Sequence, residues 1–366
     1  MTPSQDHMRQ AMRLMQAGDL QAATRTLQDA LHGIGHAAPA APAQAAGGNA
    51  AAHAAPIEGE FRVIDEGQAR SAPAPARPRA DGKARRRFSC AAGELEYLLH
   101  IPPGLDPAGA PLLLMLHGCT QTPEDFARGT RMNQLAQAHG YVVAWPAQSA
   151  ERNPNRCWNW FRAGDQQRGG GEPALLAALT LDLLASHGLD AGRVYVAGLS
   201  AGGAMAAVLA DTHPDVYAAI GVHSGLPTGM ANDMPSAFAA MRKGGRGRRP
   251  TAATAGERVP AIVFHGDSDA TVHPGNGQGV VEQSLGDGSA ADALASTERG
   301  SRPGERSATR TVHRAADGRI VAEHWLVHGA GHAWSGGDAA GSYTDPQGPD
   351  ASLQMLRFFD GCRCGA

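Results

Sequence analysis

The sequence predicts an α/β fold, a mostly parallel central sheet with helices on both faces, from three observations. From about residue 87 onward, short apolar runs rich in Val, Ile and Leu alternate with longer helical stretches; such alternation builds a parallel sheet covered on both sides. A G-x-S-x-G pentad, Gly198 to Gly202, stands between an apolar strand and a small-residue helix, the setting of a nucleophile elbow. Further on, an acid and a histidine each stand in a polar loop just beyond a strand end, where α/β sheets build their sites.

Three segments follow in order. Residues 1–32 form an amphipathic helical hairpin, with Met8, Met12, Met15, Leu20, Leu27 and Leu31 at helical spacing and a break at Gly18-Asp19. Residues 33–86 are rich in Ala, Pro and Gly and bury too little to order themselves, which makes them a disordered linker. Residues 87–366 form the compact domain. Its strands are expected over 95–101, 112–116, 141–145, 194–197, 218–222, 261–265 and 320–327, and its helices over 132–139, 174–187, 203–211 and 351–359. Two polar, Gly-rich stretches, 241–258 and 284–308, lack periodicity and are expected to be mobile loops.

Composition narrows the function classes. With 42% hydrophobic and 18% charged residues in 366, the chain has material for a sizeable core. A formal net charge of -3 speaks against a nucleic-acid groove or an acidic membrane surface. The basic runs Arg85-Arg86-Arg87 and Arg246 to Arg249 read as solvated charge. No window reaches transmembrane length, and Asp6, Arg9, Arg13, Asp19 and Arg25 fall where a signal peptide needs an apolar run, so a cytoplasmic location is expected. The five cysteines are odd in number and scattered, and Cys362-x-Cys364 is too tightly spaced for a zinc pair. In a reducing compartment all five are expected to stay thiols unless a buried pair is protected. No metal or organic cofactor is implied.

Val194, Tyr195 and Val196 favour strand and Ala204 to Leu209 favour helix, with glycines between them, so the chain turns sharply around an exposed Ser200 hydroxyl. A serine hydroxyl needs a base, and the base an orienting carboxylate. On such an elbow both lie downstream, acid first. Asp267 and Asp269 follow the strand over 259–264. Asp269 is favoured, while Asp267, nearer the strand, could instead cap the turn. Of His273, His313, His324, His328 and His332, only His332 lies in a glycine-flanked loop beyond a strand end. Two backbone N–H groups must hold the oxyanion: that of Ala201, after the nucleophile, and that of Cys119, in the turn after the buried run Leu112 to Leu116.

The motifs Leu116-His117-Gly118-Cys119-Thr120-Gln121, Asn155-Arg156-Cys157-Trp158-Asn159-Trp160-Phe161, Arg168-Gly169-Gly170-Gly171-Glu172, Ala197-Gly198-Leu199-Ser200-Ala201-Gly202-Gly203 and Gly329-Ala330-Gly331-His332-Ala333-Trp334-Ser335-Gly336-Gly337 together resemble the catalytic domain of polyhydroxybutyrate depolymerase family esterases, over about residues 88–361. The resemblance implies an α/β-hydrolase fold and hydrolysis of a polyester of short 3-hydroxyacids, or of its oligomers, through an acyl-enzyme. Feruloyl or acetyl esters of carbohydrate are the alternative substrates. Carried over, Ser200 is the nucleophile, Asp269 orients His332, and Cys119 and Ala201 form the oxyanion hole. In secreted members the counterparts of Cys119 and Cys157 are often disulfide-bonded; this chain lacks the signal peptide those members carry, which leaves the bond open. No C-terminal substrate-binding domain is recognisable, and the N-terminal hairpin and linker look like those of intracellular members, which suggests contact with storage granules through residues 5–32. Trp158, Trp160 and Trp334 flank the site and suit an apolar acyl or polymer strand.

Overall fold

The computed structural model describes residues 85–245, 258–289, 294–300 and 304–364. The hairpin expected over 1–32, the linker up to residue 84 and residues 246–257 of the first expected loop lie outside the described residues.

Among the described residues ten strands make one sheet: β1 (Arg86–Cys90), β2 (Gly93–His100), β3 (Leu112–Leu116), β4 (Val142–Ala147), β5 (Val194–Leu199), β6 (Ala219–His223), β7 (Ala261–Gly266), β8 (Leu294–Gly300), β9 (Ala308–Arg314) and β10 (Ile320–Val327). Their spatial order is β1-β2-β4-β3-β5-β6-β7-β10-β9-β8. The strands from β4 to β10 in that order run parallel, and the two strands at each edge join antiparallel. A short pair, β11 (Trp334–Ser335) with β12 (Thr344–Asp345), stands apart.

β3, β4 and β5 are buried at every residue, as a strand covered on both faces requires. Side chains alternate along a strand. Leu112, Leu114, Val194 and Val196 therefore pack with α3 (Gly171–His187), α4 (Ala201–Thr212), α5 (Met234–Lys243) and α6 (Gly275–Ser289). Leu113, Met115, Tyr195 and Ala197 pack with α1 (Pro123–Thr130), α2 (Met132–His139) and α7 (Ala351–Phe359) on the other face.

The chain winds outward from β3 to β4, then crosses back to β5 on the far side of β3 and continues to β6 and β7. The winding reverses between β3 and β5, and ligands bind in the crevice at such a reversal.

The stretch 284–308 is not simply a loop. It holds the end of α6, all of β8 and the start of β9. Residues 295–300 of β8 are all exposed, so no apolar period marks them; antiparallel pairing to β9 holds the strand. Two unpredicted helices carry legible caps. Thr122 accepts from Asp125 N–H at the start of α1, and Asp233 forms a capping box with Ser236 before α5.

His117 and His223 are each 1% exposed. Burial pushes His117 down to about 4 and His223 down to about 3, the latter aided by the nearby charges of His265 and His332. Histidines in the unfolded chain titrate near 6.5. Between pH 6.5 and 4 the unfolded chain thus binds more protons, so stability is full above that window and falls as pH drops through it. Thermal unfolding is expected to show a loss on the order of 5 kcal/mol across this window from the two residues together. A melting temperature flat between pH 6.5 and 4 would contradict their neutrality.

Candidate active site

Ser200 closes β5 and opens α4 with φ 57° and ψ -117°, in the left-handed region that glycine favours. Hydrogen bonds hold the turn: Ser200 N–H donates to the His223 carbonyl at 2.8 Å, and Ala204 N–H donates to the Ser200 carbonyl at 2.9 Å. Backbone must meet backbone here. A Cβ on Gly202 would lie 2.0 Å from the Leu116 oxygen, and one on Gly198 would lie 2.4 Å from the Gly202 carbonyl carbon. Gly202→Ala is expected to cost roughly 2–5 kcal/mol, because rigid backbone has to shift. Scanning calorimetry reads this, and a melting temperature within about 2 °C of the native value would contradict it.

β5, β6, β7 and β10 are consecutive in the sheet, with Leu199 level with His223, His223 with Phe264 and Gly266 with Val327. The loops carrying Ser200, Asp269 and His332 therefore leave the same edge. His332 Nδ1 lies 2.7 Å from Asp269 Oδ2. The other carboxylate oxygen, Oδ1, accepts from Thr271 N–H at 2.9 Å and Val272 N–H at 2.8 Å. Burial works to raise the Asp269 carboxyl, yet hydrogen bonds from His265 and His332 hold it well below the usual carboxylate range. An ionised Asp269 fixes the His332 proton on Nδ1 and leaves Nε2 as the basic nitrogen. The imidazole is bonded to Asp269 and not to Ser200; contacts of that second kind commonly tighten only when substrate binds.

Asp267 is engaged elsewhere. Its Oδ2 lies 2.8 Å from His328 Nδ1, its Oδ1 accepts from Gly329 N–H at 2.7 Å, and His328 Nε2 lies 2.8 Å from Thr309 Oγ1. The pair ties the loop that carries Asp269 to the loop that carries His332.

Leu116 on β3 is level with Gly198 on β5, which brings the turn after β3 beside the elbow. Gly118 N–H donates to Gln121 Oε1 at 2.9 Å, and Thr120 N–H donates to the Asn155 carbonyl at 2.7 Å. The Cys119 N–H between them has no acceptor among the described residues, and Ala201 N–H, first in α4, has no acceptor a turn earlier. Neutral His117 accepts from Gln148 N–H at 3.1 Å through Nε2, and its Nδ1–H donates to the Gly118 carbonyl at 2.8 Å. Because C=O and N–H oppose each other across a trans peptide, that bond sets the direction of the Cys119 N–H.

Cys119 and Cys157 form a disulfide, the bond that the sequence left open, and Cys90 and Cys362 take part in no disulfide. Behind the bond, the buried Glu172 carboxylate accepts from Asn159 N–H at 2.7 Å, Asn159 Nδ2 at 2.6 Å and Gln148 Nε2.

The tryptophans correct the expectation of an aromatic-lined crevice. Trp158, Trp160 and Trp334 are 2%, 6% and 1% exposed, so their rings are core. Trp158 Nε1 donates to the His117 carbonyl, Trp334 Nε1 donates to Ser352 Oγ, and Trp334 stacks on His223 with ring centres 5.1 Å apart. A large apolar ring with a polar handle satisfies both needs in a core.

Two residues at the site were not anticipated. His223 bridges its parts, its carbonyl accepting from Ser200 N–H and its Nε2 from Ser335 N–H at 2.9 Å. Only its place at the end of a buried strand hinted at this. Tyr343, exposed and at φ 52°, brings its hydroxyl 3.2 Å from Thr120 Oγ1 in the turn after β3; no sequence signal marked it.

Residues 95–307 match the family described as Esterase PHB depolymerase. The chain is 38% identical over 205 residues to poly(3-hydroxyalkanoate) depolymerase C of Paucimonas lemoignei, covering 54% of this chain and 49% of that one. It is 27% identical over 207 residues to a probable acetylxylan esterase A of Aspergillus flavus, covering 52% and 66%. It spans about half the length of the curated depolymerases it matches. An acetyl xylan esterase structure from Aspergillus awamori shares its fold with a TM-score of 0.57 at 19% identity, over 73% of this chain and 94% of the other. The architecture is the α/β-hydrolase fold, and with more than half of its length matched, the chain belongs to the Esterase PHB depolymerase family.

Proposed function

We propose that the chain is a carboxylic ester hydrolase acting on poly(3-hydroxybutyrate) or its oligomers. The observation that carries this reading is the 2.7 Å bond between Asp269 and His332 at the same sheet edge as a strained Ser200. Ser200 Oγ attacks the ester carbonyl while His332 Nε2 takes its proton. The N–H groups of Cys119 and Ala201 hold the oxyanion. His332 then returns the proton to the leaving alkoxide, and water repeats the sequence on the acyl-enzyme to release the acid and restore Ser200. No step calls for a cofactor.

Similarity to a probable acetylxylan esterase favours a second reading with the same triad, hydrolysis of acetyl or feruloyl esters on carbohydrate. Fold and triad are common to both, and the crevice decides. Amorphous poly(3-hydroxybutyrate) granules and acetylated xylan, each given to native and Ser200→Ala protein, separate them. Serine-dependent clearing with release of hydroxybutyrate is expected. Clearing absent while acetate is released from xylan would overturn the polyester assignment.

Residues 5–32 are further proposed to hold the enzyme on a storage-granule surface in the cytoplasm through their amphipathic face. A cytoplasmic site also requires that the Cys119–Cys157 bond resist a reducing milieu. Deletion of residues 1–80 is expected to abolish co-sedimentation with granules, and unchanged co-sedimentation would contradict the tether.

A further inference from the structure

A polar cavity of about 240 Å³ opens beside the oxyanion turn, with Arg85, Glu96, Gln121, Gln148 and Arg156 in its wall. Its two cations differ. Arg85 pairs with Glu96 at 3.1 Å and with Glu124 at 2.9 Å, so its charge is balanced in place. Arg156 is exposed and has no carboxylate partner among the described residues. Its backbone is also left-handed, at φ 51°, a conformation unfavourable for any residue with a Cβ and one that clusters at functional sites.

This arginine is close to the reacting centre. The carbonyl of Asn155, its neighbour in the chain, accepts from Thr120 N–H at 2.7 Å. Its other neighbour, Cys157, is disulfide-bonded to Cys119 with the two Cα atoms 4.2 Å apart. Adding about 3.8 Å for consecutive Cα atoms puts the Arg156 Cα within about 8 Å of the Cys119 Cα. The charge of Arg156 is felt at the His117 imidazole, which orients the Cys119 peptide.

We propose that Arg156 and this cavity form a subsite for a carboxylate on the leaving group, the free acid end of a short hydroxyacid oligomer. The proposal rests on the ester-hydrolase reading and deepens it. In an ester of two 3-hydroxyacids the carboxylate lies beyond one oxygen and two carbons from the scissile carbonyl, about 5 Å at ordinary bond lengths, within the span of an arginine side chain anchored near Cys119. A guanidinium meets a carboxylate through two parallel N–H donors. Hydrolysis leaves that carboxylate unchanged: water supplies hydroxyl to the acyl group, the leaving oxygen receives the proton, and the released hydroxyacid departs from Arg156.

The test compares 3-butyryloxybutyrate with its methyl ester, which masks the charge, on native protein, Arg156→Gln and Arg156→Lys. The ratio of kcat/KM for the acid to that for the methyl ester is expected to fall roughly fivefold in Arg156→Gln, between the effect of a screened surface pair and that of a charge-assisted hydrogen bond. It is expected to be partly kept in Arg156→Lys, and to shrink in the native protein as salt rises. An unchanged ratio in Arg156→Gln would overturn the subsite. Should the native protein hydrolyse neither ester, the hydrolase reading fails, and titration of 3-hydroxybutyrate by calorimetry still judges the subsite. Binding weakened by Arg156→Gln supports it, and equal or absent binding in both proteins overturns it.

Discussion

Ser200→Ala is expected to lower ester turnover on the order of 10⁴- to 10⁶-fold, because members of a triad act as a unit and losing the nucleophile removes most of their combined effect. The fold should persist. Among the described residues Ser200 Oγ makes no hydrogen bond that holds the turn, which rests instead on the Ser200 N–H to His223 and Ala204 N–H to Ser200 backbone bonds. Alanine fills the same small space, so the melting temperature should move by no more than a few degrees while kcat on a short soluble ester collapses. A loss of less than about tenfold would place the nucleophile elsewhere.

The two acids of the 267–269 turn should separate as sharply. Asp269→Asn removes the acceptor that holds the His332 Nδ1 proton, and the amide favours the wrong imidazole tautomer. A drop in kcat of about 10⁴-fold is expected, the size of the same change in a serine protease triad. Asp267→Asn keeps an acceptor for Gly329 N–H and loses the contact to His328, so a loss under about tenfold is expected. The reverse order would make Asp267 the orienting acid.

Acid titration carries a related sign. The Asp269 carboxyl lies below its unfolded range, so its contribution to stability is present above about pH 4 and is lost as pH falls toward its folded value. Asp269→Asn should flatten that limb of the stability curve.

How much of this could be read from residues alone differs from place to place. β3 and β5 announce themselves because strands covered on both faces must be apolar throughout. The elbow is legible because Gly198 and Gly202 have no substitute where backbone carbonyls approach this closely. β8 is invisible because an exposed edge strand has no buried face to impose a period. Sequence favours Asp269 over Asp267 without deciding between them. Both follow the same strand, and only the fold shows that one turns to His328 and the other to His332. The tryptophans mislead for a similar reason: proximity in a motif does not say which face of a ring points outward, and Trp158 and Trp334 turn theirs into the core.

The most direct test of a Ser200-centred hydrolase is covalent capture. Native protein, Ser200→Ala and Asp269→Asn are treated with a fluorophosphonate, and the adduct is located by peptide mass spectrometry. A single adduct on Ser200 is predicted in the native protein, absent from Ser200→Ala and formed far more slowly in Asp269→Asn. An adduct on another residue, or ester hydrolysis that survives with Ser200 unlabelled, would contradict the assignment.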